Sequence, residues 1–188
     1  GTGLIEFNTP ITISRFERGM LKNCVNLTKV NFGSRDKNHK FTAINAECFA
    51  GDTSLESIVI PNDVTAMQAS VFSGCSNLKN VSLPTNSSFK TLNNSIFEKC
   101  TSLTELVVPE NVVTIKNSAF KGCNNLVNIQ LLGKVSTIEK DAFAGCDKLE
   151  KIFVGVTEEP KSGWLDGWNP TNAKVIYYSK TEKADCWH

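Results

Sequence analysis

Seven Cys and two His are the residues of this 188-residue chain whose types carry thiol, redox or metal chemistry. The histidines offer little. His39 and His188 stand far apart, and neither lies near a Cys or Ser together with a supporting carboxylate. There is no Gly-x-Ser-x-Gly, and Gly74 and Gly122 do not sit in a phosphate-binding pattern. No catalytic residues, cofactor site or metal site are expected, and the chain is read as a non-enzyme. With 20 Lys and Arg against 19 Asp and Glu the net charge is +1, too small a field to recruit nucleic acid. No apolar run is long enough to span a bilayer.

The cysteines carry more information through their spacing. Cys24, Cys75, Cys100, Cys123 and Cys146, with Asp52 filling one gap, advance by steps of 28, 23, 25, 23 and 23 residues. That is the period of a solenoid. Around each Cys the chain repeats itself: Phe72-Ser-Gly-Cys75-Ser-Asn-Leu78-Lys-Asn-Val81-Ser-Leu83-Pro84 aligns with copies opening at Phe49, Phe97, Phe120 and Phe143. A degenerate copy carries Leu21, Cys24, Leu27, Val30 and Phe32. The closing Leu-x-x-Ile-x-Ile alternates with period two, which predicts one short strand per turn, stopped by Pro61, Pro84 and Pro109 in three copies. An apolar pair before each copy predicts the opposite wall: Ile13/Phe16, Phe41/Ile44, Val64/Met67, Phe89/Leu92, Val112/Ile115 and Val135/Ile138. The two long steps come from polar inserts near residues 33–40 and 85–88, expected to be surface loops.

The pattern Phe-x-Gly-Cys-x-x-Leu-x-x-Ile-x-Ile-Pro strongly resembles the BspA-like leucine-rich repeats of bacterial and some protozoan surface proteins, across residues 11–156. The resemblance implies a right-handed leucine-rich-repeat solenoid of about six coils with one parallel β-sheet face. It further implies a cell-surface or secreted module, its signal or anchor lying outside this sequence, used for adhesion or protein binding. The division expected is a repeat array over residues 1–156, with a partial first repeat, and a capping segment over 157–188. That segment holds Trp164, Trp168, Tyr177, Tyr178 and Trp187. These aromatics suit a cap over the last coil; stacking against sugar rings is the alternative.

Within the array the Cys column reads as a ladder of small buried thiols. Metal ligands must converge on one point, whereas a column is spread along a line, and parallel side-chain vectors fit disulfide geometry poorly, although neighbouring coils are close enough for it. Cys48 reads as a further filler.

The binding surface is then expected on the outward side of the strands. One outward column is Asn31, Val59, Ser82, Val107, Gln130 and Phe153; its neighbour is Lys29, Ser57, Asn80, Glu105, Asn128 and Lys151. From these, Val59, Ser82, Glu105, Val107, Gln130, Lys151 and Phe153 are the candidate partner-binding residues, for a protein ligand such as a host extracellular or surface protein, engaged by a monomer with no membrane insertion; for Phe153 the alternative is cover by the terminal segment. The insert with Arg35, Asp36, Lys37, His39 and Lys40 is a second candidate. A purely structural spacer within a larger surface protein is the rival reading.

Overall fold

The computed structural model describes residues 3–155, 163–169 and 173–177, and every regular element among them is a strand. The strands form two walls of a coil with about seven turns. The longer set makes one face: β1 (Glu6–Asn8), β3 (Lys29–Asn31), β5 (Ser57–Val59), β7 (Asn80–Ser82), β9 (Glu105–Val108), β11 (Asn128–Leu131), β13 (Lys151–Val154) and β14 (Lys174–Tyr177). Two-residue strands form the other: β2 (Arg15–Phe16), β4 (Ala43–Ile44), β6 (Ala66–Met67), β8 (Thr91–Leu92), β10 (Thr114–Ile115) and β12 (Thr137–Ile138). All pairings are parallel, and equivalent residues face one another, as in Ile129↔Ile152 and Ile115↔Ile138. A parallel register of this kind follows from the repeat: each turn buries the same columns, so a slip would expose them.

Buried columns fill the space between the walls. Phe49, Phe72, Phe97, Phe120 and Phe143 stack with ring centroids 5.2–5.5 Å apart and planes within 14°. Cys75, Cys100, Cys123 and Cys146 each donate an S–H to the carbonyl of the Phe one turn earlier, at 3.0–3.1 Å. The thiols are therefore small core fillers that also satisfy main-chain acceptors. Cys24, Cys48, Cys75, Cys100, Cys123 and Cys146 are all unpaired and buried; burial pushes the Cys48 thiol up to about 12 and raises those of Cys75 and Cys100 well above the ordinary thiol range. Cys186 lies outside the described residues.

Each turn bends at a left-handed position just before the Cys, filled by Gly51, Gly74, Gly122 and Gly145 with φ between 70° and 78°. Asn23 and Lys99 take the same conformation at φ 59°, where a side chain is disfavoured. Asp52 breaks the thiol ladder. Its Oδ1 accepts the Cys24 N–H at 2.8 Å, its Oδ2 has no partner, and burial lifts its carboxyl to about 8.

The coil continues past the last aligned copy. Gly163 O accepts from Ile138 N, Leu165 N donates to Ile138 O, Trp164 bridges to Ile138, and β14 pairs with β13 in the register of the preceding turns. Described residues after 157 thus extend the solenoid path as a further turn, which the alignment missed because this turn lacks the Phe-Gly-Cys-Leu signature.

Candidate binding face

The outward columns of the long wall lie as the alternation predicts, but their exposure changes along the axis. Val59 is 70% exposed and Val107 46%, Ser82, Glu105 and Lys151 are exposed, and Gln130 is half-buried. Phe153 corrects the expectation of an exposed aromatic: it is only 6% exposed, opposite Ile176 of β14. Of the two readings open for Phe153, cover by the terminal segment is the one found, through the pairing of β14 with β13.

The face is interrupted twice. No strand ladder joins β3 to β5 or β7 to β9. Each break follows an insert: residues 33–40 after β3 and residues 85–88 after β7, the same segments that lengthen the repeat to 28 and 25 residues. Each break opens a cleft. The first, of about 660 Å³, is lined by residues including Lys29, Asn31, Ser57, Val59 and Pro61. The second, of about 410 Å³, is lined by residues including Lys79, Ser82, Glu105, Val107, Pro109 and Gln130. The inward residues Val30 and Val81 are half-buried where their equivalents Ile58 and Leu106 are buried, so each cleft reaches toward the core.

Five candidates, Ser82, Glu105, Val107, Gln130 and Val59, therefore line the two clefts, whereas Lys151 and Phe153 do not. Sequence reasoning missed Lys79, Pro109 and the clefts themselves. Their signal in the sequence is the uneven step between repeats: each insert reads as a surface loop, and its effect on the neighbouring strands is not written within a single repeat. Val59 and Val107 are two turns apart, on either side of the second break. Each has a Lys on the far side of its break, Lys29 held by Glu6 and Lys79 by Glu56 at 3.0 Å.

The other candidates are structural in their contacts. Arg35 donates to the carbonyls of Pro10, Ile11, Ile13, Phe32 and His39, and its guanidinium lies over the Phe41 ring at 5.2 Å. It pins the insert to the first turn. Asp36 accepts from the Asn38 and His39 main chain and from His39 Nδ1, and the His39 hydrogen bond foremost holds its carboxyl below the ordinary range. Trp164 donates its indole N–H to Val135 O at 3.1 Å and meets Trp168 edge-on at 4.8 Å, and Trp168 meets Phe143 at 6.0 Å. Rings engaged edge to face against the core belong to a cap. Tyr178 and Trp187 lie outside the described residues, as do the side chain of Tyr177 and His188.

A coil of one parallel strand and one short bridge strand per turn, with Leu, Ile and Phe columns inside, is a leucine-rich-repeat solenoid. The family model of the BspA type leucine rich repeat region matches residues 42–159 with 6 copies, and the chain belongs to that family. No curated protein matches. Among solved structures, a leucine-rich-repeat protein of T. pallidum is similar with TM-score 0.64 and 24% identity over 77% of this chain and 66% of its own. A leucine-rich cell surface protein of Faecalibacterium prausnitzii aligns with TM-score 0.62 and 22% identity over 93% of this chain and 52% of its own. A leucine-rich-repeat protein of Bacteroides ovatus gives 0.55 and 24%, over 93% and 55%. The chain thus spans between about half and two thirds of the length of these proteins, and at such identities the likeness is one of fold.

Proposed function

We propose that this chain is a non-catalytic module of a bacterial cell-surface protein, and that it binds a protein partner on the face formed by the long strands. The observation that carries the reading is the pair of clefts at the sheet breaks. Each interrupts the main-chain ladder and carries an exposed Val in an outward column whose other exposed or half-buried members are Asn31, Ser82 and Gln130. The description of the Faecalibacterium relative as a cell surface protein supports the location. With a near-neutral chain, affinity rests on shape and apolar contact, with little long-range steering.

The test is binding of the purified chain to a panel of host extracellular matrix and serum proteins, repeated with Val59→Arg and Val107→Arg. Both side chains point into solvent, so each variant should keep the parent melting temperature while weakening capture of the bound protein at least tenfold. Undiminished binding by the double variant would place the site off this face. Absence of any binding across the panel would favour the spacer reading. Phe153→Asp serves as a contrast: because Phe153 is buried, it should lower thermal stability.

A further inference from the structure

Neighbouring turns are tied to one another at three places: along the long wall, along the short wall, and at the corner that carries the Phe and Cys columns. Among the described residues, each junction where both walls are present keeps at least one wall paired, with one exception. Between the turn of β6 and β7 and the turn of β8 and β9 neither wall is paired: the β7–β9 ladder and the β6–β8 ladder are both missing. The break between β3 and β5 differs, because β2 still pairs with β4 across that junction and Arg35 pins the insert to the turn before it.

One column shows what the short wall has lost there. At the junctions on either side, the main-chain N–H that follows the short strand donates to the turn before: Gln68 to Ile44 and Lys116 to Leu92, both at 2.9 Å. At the equivalent Asn93 the side-chain amide takes over and donates to Met67 O at 2.7 Å. The two main chains therefore stand a side chain's reach apart. On the long wall the cleft of about 410 Å³ occupies the corresponding gap. The corner, by contrast, is intact. Ser70, Phe72 and Gly74 donate to carbonyls of the next turn at 2.7–2.9 Å, Phe72 stacks on Phe97 at 5.5 Å, and the Cys100 S–H meets Phe72 O at 3.1 Å.

We propose that this junction is a hinge. Residues 3–84 and the described residues from 89 onward move as two rigid bodies that pivot about the intact corner, and the insert at 85–88 absorbs the change in main-chain angle. A wedge closed at the corner and open at both walls is the geometry such a pivot needs. Rotation about the corner spares the Phe stack and the thiol contact, and it breaks no ladder, because neither wall forms one there. In a solenoid each turn is held only by its neighbours, so the junction with the fewest ties is where the array bends. The core limits the swing: Leu92 and Leu106 beside the break are at most 3% exposed, and wider opening brings them into water. The cleft lined by Lys79, Glu105 and Val107 thus changes width with the hinge, whereas the cleft beside Val59 is held by the paired short wall.

Double electron–electron resonance tests this, since freezing captures the population of hinge angles. Spin labels at Ser57→Cys and Lys151→Cys span the junction, and labels at Glu105→Cys and Lys140→Cys stay within the second body; all four side chains are exposed. A Cys186→Ser background leaves only the buried native thiols beside the labels. The spanning pair should give a distance distribution at least twice as wide as the internal pair. Asn93→Ala removes the side-chain tether and should widen the spanning distribution further without changing the internal one. Deleting Ser87 and Ser88 restores the 23-residue step, so it should narrow the spanning distribution to the internal width and protect the Glu105 and Val107 amides from hydrogen exchange. Circular dichroism checks that each variant is folded. A parent whose spanning pair is as narrow as the internal one, an Asn93→Ala chain with an unchanged distribution, or a folded deletion variant that stays wide would each overturn the hinge. The first two outcomes decide the matter even where the deletion variant does not fold.

Discussion

The first and the last turns among the described residues differ in how far they are covered. At the C-terminal end a turn without the repeat signature brings Trp164 and Trp168 against Phe143 and β14 against β13, and the last regular turn is as dry as the middle: Ile138, Phe143 and Ile152 are fully buried. At the N-terminal end Leu21 replaces the ladder Phe, and Phe16 meets Phe49 edge-on at 79° where later rungs stack within 14°. Phe7, Ile13 and Met20 remain partly exposed. A repeat protein buries a turn only by stacking another turn or a cap on it. The difference shows that the stability of a residue here is set by its position along the axis as much as by its column.

That comparison can be broken most directly within a single column. Ile96 is enclosed between Val71 and Ala119, so Ile96→Ala should cost about 2–5 kcal/mol in urea denaturation. Met20→Ala, in the same column but 42% exposed, should cost less than about 1 kcal/mol. Equal costs would mean that the first turn is covered in solution.

Asp52 sharpens the comparison at the junction between the degenerate first copy and the regular array. Asp52→Cys restores the ladder thiol and removes a carboxyl oxygen buried without a partner, so it should stabilise the chain by about 1–3 kcal/mol at neutral pH. The pH dependence has a defined sign. The folded carboxyl keeps its proton to about pH 8 whereas the unfolded one releases it near 3.8, so rising pH favours the unfolded state throughout that window. The advantage of the variant over the parent should be smallest near pH 4 and grow toward pH 8. An advantage independent of pH would mean that Asp52 is ionised in the fold.

What was legible in the sequence follows the same division. Strand placement, inward columns and the buried thiols could be read from residues 42–156 because each turn presents the same side chains to the same neighbours. Phe153 reads from sequence either as exposed or as covered by the terminal segment, because the covering turn has no signature: Trp164 takes an Ile position, and nothing in the Trp-Leu-Asp-Gly-Trp segment announces a strand bridge. The clefts were hidden for another reason. An insert is legible as a loop, but the loss of a ladder between β7 and β9 is a property of two turns together, and no residue within either turn encodes it. Arg35 illustrates the limit: by composition it sits in a solvated loop, whereas its donors close the carbonyls of the preceding turn.

That last contact recurs. The carbonyl opening the short wall is met by a side-chain N–H from the following turn at both ends and between them: Arg35 to Ile13 at 2.8 Å, Asn86 to Val64 at 2.7 Å, Asn111 to Phe89, and Trp164 to Val135 at 3.1 Å. Side chains of three different types converge on one backbone position because a carbonyl left beside the core without a donor is costly. At the C-terminal end the staple can be separated from ring packing, since Trp164→Phe deletes the N–H while keeping an aromatic ring. It should cost about 1 kcal/mol, less than the change in the Ile96 column, and leave Trp168 against Phe143. Fluorescence of the remaining tryptophans reports the second part. An unchanged urea midpoint would show that water replaces the indole at Val135, whereas a red-shifted emission would show that the whole last turn depends on this one donor.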